Sequence, residues 1–267
     1  KPVNSHYVCN YNLWGYDPMR KKYKDQAIGD TPKLFNINGR KCVGVGCKNG
    51  GFYVLDASSG KLIGQTPVYR GPPTYPLTPK PHRRMIALPG VIGGIQTGCA
   101  TDGQAVYTNG IDIIRRATGK KDSLFAPPTG GRVVSISLNA KKENWRHERP
   151  KVPGVGGTKE KPRFKNVGDP VGSGLALTNG LVVFTTTVSN KLVILDKNTG
   201  KLLREISLGP VWSGPSISRG RVYTGTGNIL FAPVPQEGYF PKKFNGAVIS
   251  FGLPGKDEVD RMGAGNE

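Results

Sequence analysis

Residues 53–62 read Tyr-Val-Leu-Asp-Ala-Ser-Ser-Gly-Lys-Leu, and residues 193–202 read Val-Ile-Leu-Asp-Lys-Asn-Thr-Gly-Lys-Leu. In both segments an apolar strand precedes an Asp-x-x-Ser/Thr-Gly-Lys turn, and a second apolar strand follows it. The aspartate accepts hydrogen bonds from backbone groups two residues on, and the glycine adopts the positive φ that reverses the chain. Residues 133–142 carry a weaker copy, with Asn139 in the aspartate position. A β-hairpin repeated in this way predicts a β-propeller.

The composition agrees with an all-β chain. The 267 residues include 38 glycines and 22 prolines, which suits many short strands joined by tight turns. No long window has apolar residues at a spacing of 3.6, and no apolar run is long enough to cross a bilayer. The chain begins at Lys1 and no signal-like segment follows. We therefore expect a processed product or a piece of a longer chain.

Strand-forming segments group into four sets, at residues 31–68, 93–149, 171–208 and 211–251. Long loops are expected at 70–90 and 150–170, where glycine, proline and lysine are frequent. The fourth set lacks a last strand, because the sequence becomes polar and charged after residue 251. We expect one propeller domain with about four antiparallel four-stranded blades, forming an arc of a larger ring. An open arc exposes strand edges and blade faces, so a second segment or chain is expected to cover them.

The chain is strongly basic. Its 38 lysines and arginines exceed its 18 acidic residues, which gives a formal charge of +20. Such a field favours acidic partners. The basic residues are scattered through turns without the interleaved aromatic side chains of a strand-binding groove, so we expect no specific nucleic-acid binding. A solvated basic surface, or one that binds an acidic protein, fits the pattern better.

Three kinds of segment resemble one known family. Residues 32–40 read Pro-Lys-Leu-Phe-Asn-Ile-Asn-Gly-Arg and run on to Gly-Cys-Lys-Asn-Gly-Gly-Phe-Tyr-Val-Leu-Asp at 46–56. Residues 93–103 read Gly-Gly-Ile-Gln-Thr-Gly-Cys-Ala-Thr-Asp-Gly, and the Asp-x-x-Ser/Thr-Gly-Lys turns are the third kind. Together they resemble the quinoprotein dehydrogenase propellers, and most closely the polyvinyl-alcohol-dehydrogenase-like branch. The resemblance implies an eight-bladed ring, of which this chain would supply about half.

The same resemblance implies an activity. Members of the family bind pyrroloquinoline quinone with a calcium ion near the ring axis and oxidise alcohols. They pass the electrons to a cytochrome or a quinone, so an acidic redox protein such as a cytochrome c is an expected partner. The cofactor supplies the hydride chemistry and the protein orients it. A periplasmic or otherwise exported location is also implied.

Two residues match the family's functional positions. Lys48 matches the lysine that contacts the quinone carbonyls, where a cation stabilises charge that develops on reduction. Asp25 best matches the first aspartate of an Asp-x-Asp element, which implies a general base and a calcium ligand. The second aspartate of that element is Ala27 here, and an alternative alignment places Gly15 at the catalytic position. A surface aspartate and a plain turn lysine are the competing interpretations.

Two classes of function remain open. The first is a quinoprotein-type alcohol dehydrogenase in which Asp25 is the base and Lys48 contacts the quinone. The second is a non-catalytic propeller that serves as a scaffold or accessory subunit of a larger assembly. The retained Lys48 segment favours the first, whereas the altered aspartate element and the half-ring length favour the second.

Overall fold

The computed structural model describes residues 16–17, 22–23, 28–48, 50–69, 85–87, 93–113, 115–117, 128–157, 161–227 and 246–252. Across this described part the chain is all-β: every sheet is antiparallel and no helix is present. These residues accordingly include no helix with the length and apolar character needed to cross a lipid bilayer.

The strands, in chain order, are β1 (Tyr16–Asp17), β2 (Lys22–Tyr23), β3 (Lys33–Ile37), β4 (Arg40–Gly46), β5 (Gly51–Asp56), β6 (Leu62–Pro67), β7 (Met85–Ala87), β8 (Ala100–Thr101), β9 (Ala105–Ile113), β10 (Arg115–Ala117), β11 (Pro128–Ser137), β12 (Glu143–Glu148), β13 (Val152–Gly157), β14 (Pro162–Val167), β15 (Ala176–Thr178), β16 (Leu181–Thr185), β17 (Lys191–Asp196), β18 (Leu202–Ser207), β19 (Ser216–Ser218), β20 (Arg221–Thr226) and β21 (Ala247–Gly252).

Four of the sheets are meanders, which we call blades 1 to 4. Blade 1 has the order β3-β4-β5-β6, blade 2 the order β8-β9-β11-β12, and blade 3 the order β15-β16-β17-β18. Blade 4 has three strands in the described residues, in the order β19-β20-β21. The predicted all-β architecture with antiparallel blades is confirmed.

The blades follow one another side by side. Their first strands touch in the order β3, β8, β15 and β19, so these strands lie innermost. One apolar cluster joins blades 1 and 2 and contains Phe35, Phe52, Val106 and Ile136. A second joins blades 2 and 3 and includes Tyr107, Val133 and Phe184. Successive side chains of a strand point to opposite faces of the sheet, so blade 2 packs on blade 1 with one face and on blade 3 with the other.

The blades have two different ends. The turns between first and second strands, and between third and fourth strands, lie at one end, which we call the turn end. The connections between second and third strands, and between successive blades, lie at the other, which we call the loop end. At the turn end Asp56 accepts the amide protons of Ser58 and Ser59 at 3.1 and 2.7 Å, as the repeat predicts. Gly60 and Gly200 have φ of 66° and 70°.

The connection between blades 2 and 3 differs from the expected loop at 150–170. It contains a two-stranded hairpin of β13 and β14. Val152 and Val167 oppose each other across this pair and pack with Val188 of blade 3. Burial of these valines stabilises the hairpin despite the surrounding glycines and prolines. Most of the expected loop at 70–90 lies outside the described residues, although β7 pairs with β10.

Candidate functional site

The loop end near the innermost strands brings together two segments that carry the family resemblance. Lys48 lies in the turn between β4 and β5, where the Gly50 amide donates to the Cys47 carbonyl at 2.9 Å. The same carbonyl accepts the Ile95 amide of blade 2 at 3.1 Å. Gly94 has a φ of 79°, and a Cβ there would overlap the Lys48 backbone. Glycine is therefore required for blade 2 to approach the half-buried Lys48 turn so closely.

A buried carboxylate supports this turn. Asp30 precedes β3 and is 6% exposed. Its Oδ2 accepts the Gly46 amide at 2.9 Å, and its Oδ1 accepts the Cys99 amide at 2.8 Å. Asp30 thus fastens the end of β4 in blade 1 to the first strand region of blade 2. Ile28, three positions after Asp25, is bridged to Cys47 beside the same turn.

Burial favours the neutral forms of Asp30 and Cys99. Burial raises the pKa of Asp30, and the amides of Cys99 and Gly46 oppose the rise only in part. Burial also raises the pKa of the Cys99 thiol, and the neighbouring Asp30 carboxylate raises it further. A thiol with a raised pKa is a poor nucleophile, so Cys99 is suited to packing rather than to covalent catalysis.

The Asp30 position recurs in two other blades as a serine. The Ser173 hydroxyl accepts the Thr185 amide at 2.9 Å, and the Ser213 hydroxyl accepts the Gly225 amide at 3.1 Å. These bonds correspond to the bond from Gly46 to Asp30. Because an uncharged hydroxyl satisfies the same amide, the charge at Asp30 is not needed to build a blade.

Hydrogen bonds also link each of these blades to the next near the innermost strands. Asn109 of blade 2 donates to the Ser173 carbonyl at 2.6 Å and to the Thr97 hydroxyl at 2.7 Å. Thr185 of blade 3 donates to the Ser213 carbonyl at 2.8 Å. Asn109 is fully buried, and among the described residues no group donates a hydrogen bond to its Oδ1. A buried acceptor in this state is suited to a bound water or ligand.

Ion pairs lie farther out at the loop end. Arg149 donates to Asp169 at 3.0 Å, and their side chains are 1% and 0% exposed. Arg149 also donates to Glu205 of blade 3 at 2.7 Å, and Lys191 contacts the same carboxylate. A comparable pair forms between Arg132 and Asp112 inside blade 2. Both arginine–aspartate pairs are buried and compensated, so they join strands and blades rather than face a substrate.

The described residues do not form a calcium site of the expected kind. Calcium needs six to eight oxygen ligands, several of them carboxylates. In the described ranges no three histidine, cysteine or acidic side chains are grouped to hold a metal ion. Both oxygens of Asp30, the carboxylate beside Lys48, already accept backbone amides.

The two predicted site residues differ in position, but the predicted role of neither is tested. Asp25 lies outside the described residues, so its roles as base and metal ligand stay predictions. Lys48 lies at the loop end of blade 1, and its contact with a quinone likewise stays a prediction. Sequence reasoning missed Asp30 and Asp169. Both follow glycine, as Gly29-Asp30 and Gly168-Asp169, and both occupy connections that enter a blade. That repeated dipeptide was the available signal.

We compared the chain with known proteins. No protein-family model and no curated protein matches it. It is similar to the solved structure of a quinohemoprotein alcohol dehydrogenase from Pseudomonas putida, with a TM-score of 0.50 and 15% identity over 73% of this chain and 34% of that one. It is also similar to a europium-containing methanol dehydrogenase, with a TM-score of 0.46 and 20% identity over 74% of this chain and 39% of that one.

A third similar structure is BamB from Moraxella catarrhalis, with a TM-score of 0.41, 13% identity, and coverage of 76% of this chain and 45% of that one. The chain therefore spans less than half the length of each of these three proteins. At such identity a likeness concerns the fold alone. This chain folds as a β-propeller. The likeness supports no choice between a dehydrogenase and a non-catalytic propeller, and the polyvinyl-alcohol-dehydrogenase-like branch stays a prediction.

Proposed function

We propose that this chain is part of a larger propeller that works as a binding scaffold. In this propeller a further segment or a second chain covers the face of blade 1 that points away from blade 2, which we call its outer face. The observation that carries the proposal is a row of apolar side chains across that face. Strand register places Leu34, Val43, Leu55 and Leu62 side by side on adjacent strands.

The exposure of this row contrasts with the other face of the same blade. Leu34 is 75% exposed and Leu62 is 46% exposed, whereas Phe52 and Val54 on the face toward blade 2 are fully buried. Near the loop end the outer face is already covered in part, since Ile28 packs against Val45 and Tyr53. The exposed apolar row is therefore continuous with a part of the same face that protein already covers. This continuity supports the proposal that another blade packs on the row.

Blade 4 supports the proposal from the other side of the arc. Val248 in β21 is 81% exposed. Its neighbour across the sheet is Gly225, so this part of the face offers a flat surface flanked by Tyr223 and Ser250. A propeller covers both faces of each interior blade, as happens here for blade 2. In the proposed ring, further blades would pack on blades 1 and 4.

The test is footprinting of leucine and valine side chains by a photogenerated carbene. The isolated chain is compared with the native polypeptide or assembly that contains it, and the intact mass of that polypeptide is measured. We expect Leu34 and Val248 to be protected in the native material. Leu203, which is 53% exposed on an outermost strand, is the matched control and should stay accessible. Equal labelling of Leu34 in both samples would contradict the proposal.

A quinoprotein alcohol dehydrogenase is the second candidate, and the Lys48 turn favours it. This lysine is half-buried at the junction of blades 1 and 2, close to the innermost strands. A cation held there is suited to a planar anionic ligand. In this candidate Asp25 is the base, calcium and the quinone are bound by groups that include residues outside the described part, and electrons pass to a cytochrome or quinone. A periplasmic or exported location belongs to the same candidate.

The dehydrogenase candidate is tested on the full-length protein with added pyrroloquinoline quinone and calcium. Quinone absorbance reports binding, and a dye-linked assay reports alcohol oxidation. We expect Lys48→Met to weaken quinone binding and Asp25→Asn to abolish turnover while binding is retained. Lys61→Met, at an exposed turn lysine, is the control and should change neither. Failure of the wild-type protein to bind the quinone would eliminate this candidate and leave the scaffold proposal untouched.

A further inference from the structure

The turn end carries a second feature, an exposed cationic surface. Its defining residues are exposed side chains in the turns of blades 1 to 3: Arg40, Lys41, Lys61, Lys141, Lys142 and Lys201. We call this set the turn-end surface. Four of these side chains form no ion pair with a described residue: Lys61, Lys141, Lys142 and Lys201. Their charge therefore faces solvent.

The carboxylates at the same end are occupied by the turns themselves. Asp56 accepts the hydroxyls of Ser58 and Ser59 at 2.7 Å each and pairs with Arg40 at 2.6 Å. Asp196 accepts the Thr199 hydroxyl at 2.8 Å in the corresponding turn. These hydrogen bonds hold the aspartate carboxylates close to the backbone of their turns. Lysine side chains are longer and keep their charged ends in water.

Contacts between blades make the turn-end surface continuous. The Thr66 hydroxyl of blade 1 donates to the Ala140 carbonyl of blade 2 at 2.7 Å, beside Lys141. Trp145 of blade 2 donates its indole proton to the Lys197 carbonyl of blade 3 at 2.8 Å. Lys197 in turn donates to Asp102 of blade 2 at 2.8 Å. These bonds therefore hold the turns that carry the lysines side by side in blades 1 to 3.

An apolar side chain indicates the class of partner. Lys201 is followed by a leucine, and this Leu202 is 42% exposed. Protein interfaces combine apolar contacts with a charged rim, whereas single-stranded nucleic acid is bound by stacking on aromatic side chains. The turn segments 36–41, 56–62, 137–144 and 196–202 contain no aromatic residue.

We propose that the turn-end surface is a docking site for an acidic protein, which it attracts through these lysines and contacts through Leu202. The inference goes beyond the scaffold proposal, since it concerns the end of the blades rather than the faces of blades 1 and 4. It holds whether the loop end is catalytic or not. Electrostatic attraction of this kind raises the association rate and weakens with salt.

The experiment uses two fluorescent probes on the full chain. One is a synthetic peptide of glutamates with interspersed leucines, and the other is a single-stranded DNA oligonucleotide of equal charge. Binding is followed by fluorescence anisotropy at low and physiological salt. The test variant carries Lys61→Glu, Lys141→Glu and Lys201→Glu. The matched control carries Lys151→Glu, Lys161→Glu and Lys165→Glu, which change the net charge equally at exposed positions in or beside the β13–β14 hairpin.

We expect the turn-end variant to bind the peptide about tenfold more weakly than wild type, and the control variant within about twofold of wild type. Thermal unfolding verifies that both variants fold. If the glutamate variant does not fold, the same three lysines are changed to glutamine, with a smaller loss in the same direction. Equal losses in both variants would overturn the proposal, because net charge alone would then explain binding. Tighter binding of DNA than of peptide, lost with the same lysines, would also overturn it.

Discussion

The two ends of the propeller use charge in opposite ways. At the loop end Arg149 and Asp169 are buried and paired, and Glu205 and Lys191 extend the pair into blade 3. At the turn end Lys61, Lys141 and Lys201 are exposed, and the aspartates there bond to their own turns. Connections at the loop end vary in length from blade to blade, whereas those at the turn end are two to five residues long. The comparison teaches that the buried charges at the loop end stabilise contacts within and between blades, and that the exposed lysines at the turn end remain available to a partner.

The largest expected effect concerns the buried loop-end pair. Arg149→Ala leaves the fully buried Asp169 without its cationic partner, so we expect the free energy of unfolding to fall by about 3–5 kcal/mol. Chemical denaturation measures the change. Arg204→Ala removes an exposed arginine from β18 of the adjoining blade and is the control, with a change of about 0.5 kcal/mol or less. Similar losses in both variants would remove the distinction between buried and exposed charge.

A smaller effect separates two turns that look alike in sequence. Gly60 and Gly200 both have positive φ, so alanine strains the backbone at either position. A Cβ on Gly200 would also overlap the Trp145 ring, whereas a Cβ on Gly60 meets no atom within 4 Å. We expect a loss of about 2–4 kcal/mol for Gly200→Ala and about 1 kcal/mol for Gly60→Ala. Thermal unfolding of the two variants compares them, and equal melting temperatures would show that blade 2 does not support the blade 3 turn.

The pH dependence of stability distinguishes Asp30 from the exposed turn aspartates. Burial raises the pKa of Asp30 in the folded state, so folding favours its neutral form. Its stabilising contribution is then complete below the unfolded pKa near 4 and is lost as the pH rises through the folded value. Relative to Asp30→Ser, the wild-type protein should lose about 1.4 kcal/mol of stability for each pH unit between the unfolded and the folded pKa of this carboxyl.

The measurement is the free energy of unfolding of wild type and of Asp30→Ser from pH 3 to pH 8. Asp196→Asn, at the turn end, serves as a comparison of opposite sign. Thr199 holds the pKa of Asp196 below its ordinary value, so the advantage of wild type over that variant should shrink as the pH falls. A stability of wild type that rises relative to Asp30→Ser as the pH increases would contradict the assignment of Asp30.

The smallest effect concerns the ion pair between the turns of blades 2 and 3. Burial raises the pKa of Asp102, but Lys197 and the amides of Ala105 and Gln104 outweigh it and hold the pKa at about 2. Lys197→Met should cost about 0.5–1 kcal/mol at neutral pH, since the pair is partly exposed and screened by water. The cost should shrink as the pH falls and vanish only below the pKa of about 2, where Asp102 becomes neutral. Lys201→Met should cost almost nothing at any pH.

The fold was predictable from the sequence because its signals are local. The aspartate and glycine of the repeated turn form their bonds within six residues, and the alternation of Val193 to Leu195 needs no distant contact to be recognised. The hairpin of β13 and β14 was not predicted. Its stability depends on packing of Val152 and Val167 against Val188, which the sequence of the segment alone does not reveal.

The candidate site was less predictable, because it depends on contacts between blades. Asp30 and Cys99 are 69 positions apart, and only the three-dimensional arrangement brings that carboxylate to that amide. The resemblance directed attention to Lys48, whose turn does adjoin Gly94 of the next blade. It also directed attention to Asp25 rather than to the buried Asp30. A resemblance to a family identifies residue types along a chain, whereas burial in the folded structure determines which carboxylate has a shifted pKa.

The meander order of the blades has an evolutionary consequence. Blades 1 to 3 each draw their strands from an uninterrupted stretch, from Lys33 to Pro67, from Ala100 to Glu148 and from Ala176 to Ser207. A cut or a fusion between two such stretches therefore divides no blade. One in-frame duplication or deletion in the gene can add or remove a whole blade and leave the strands of the other blades together.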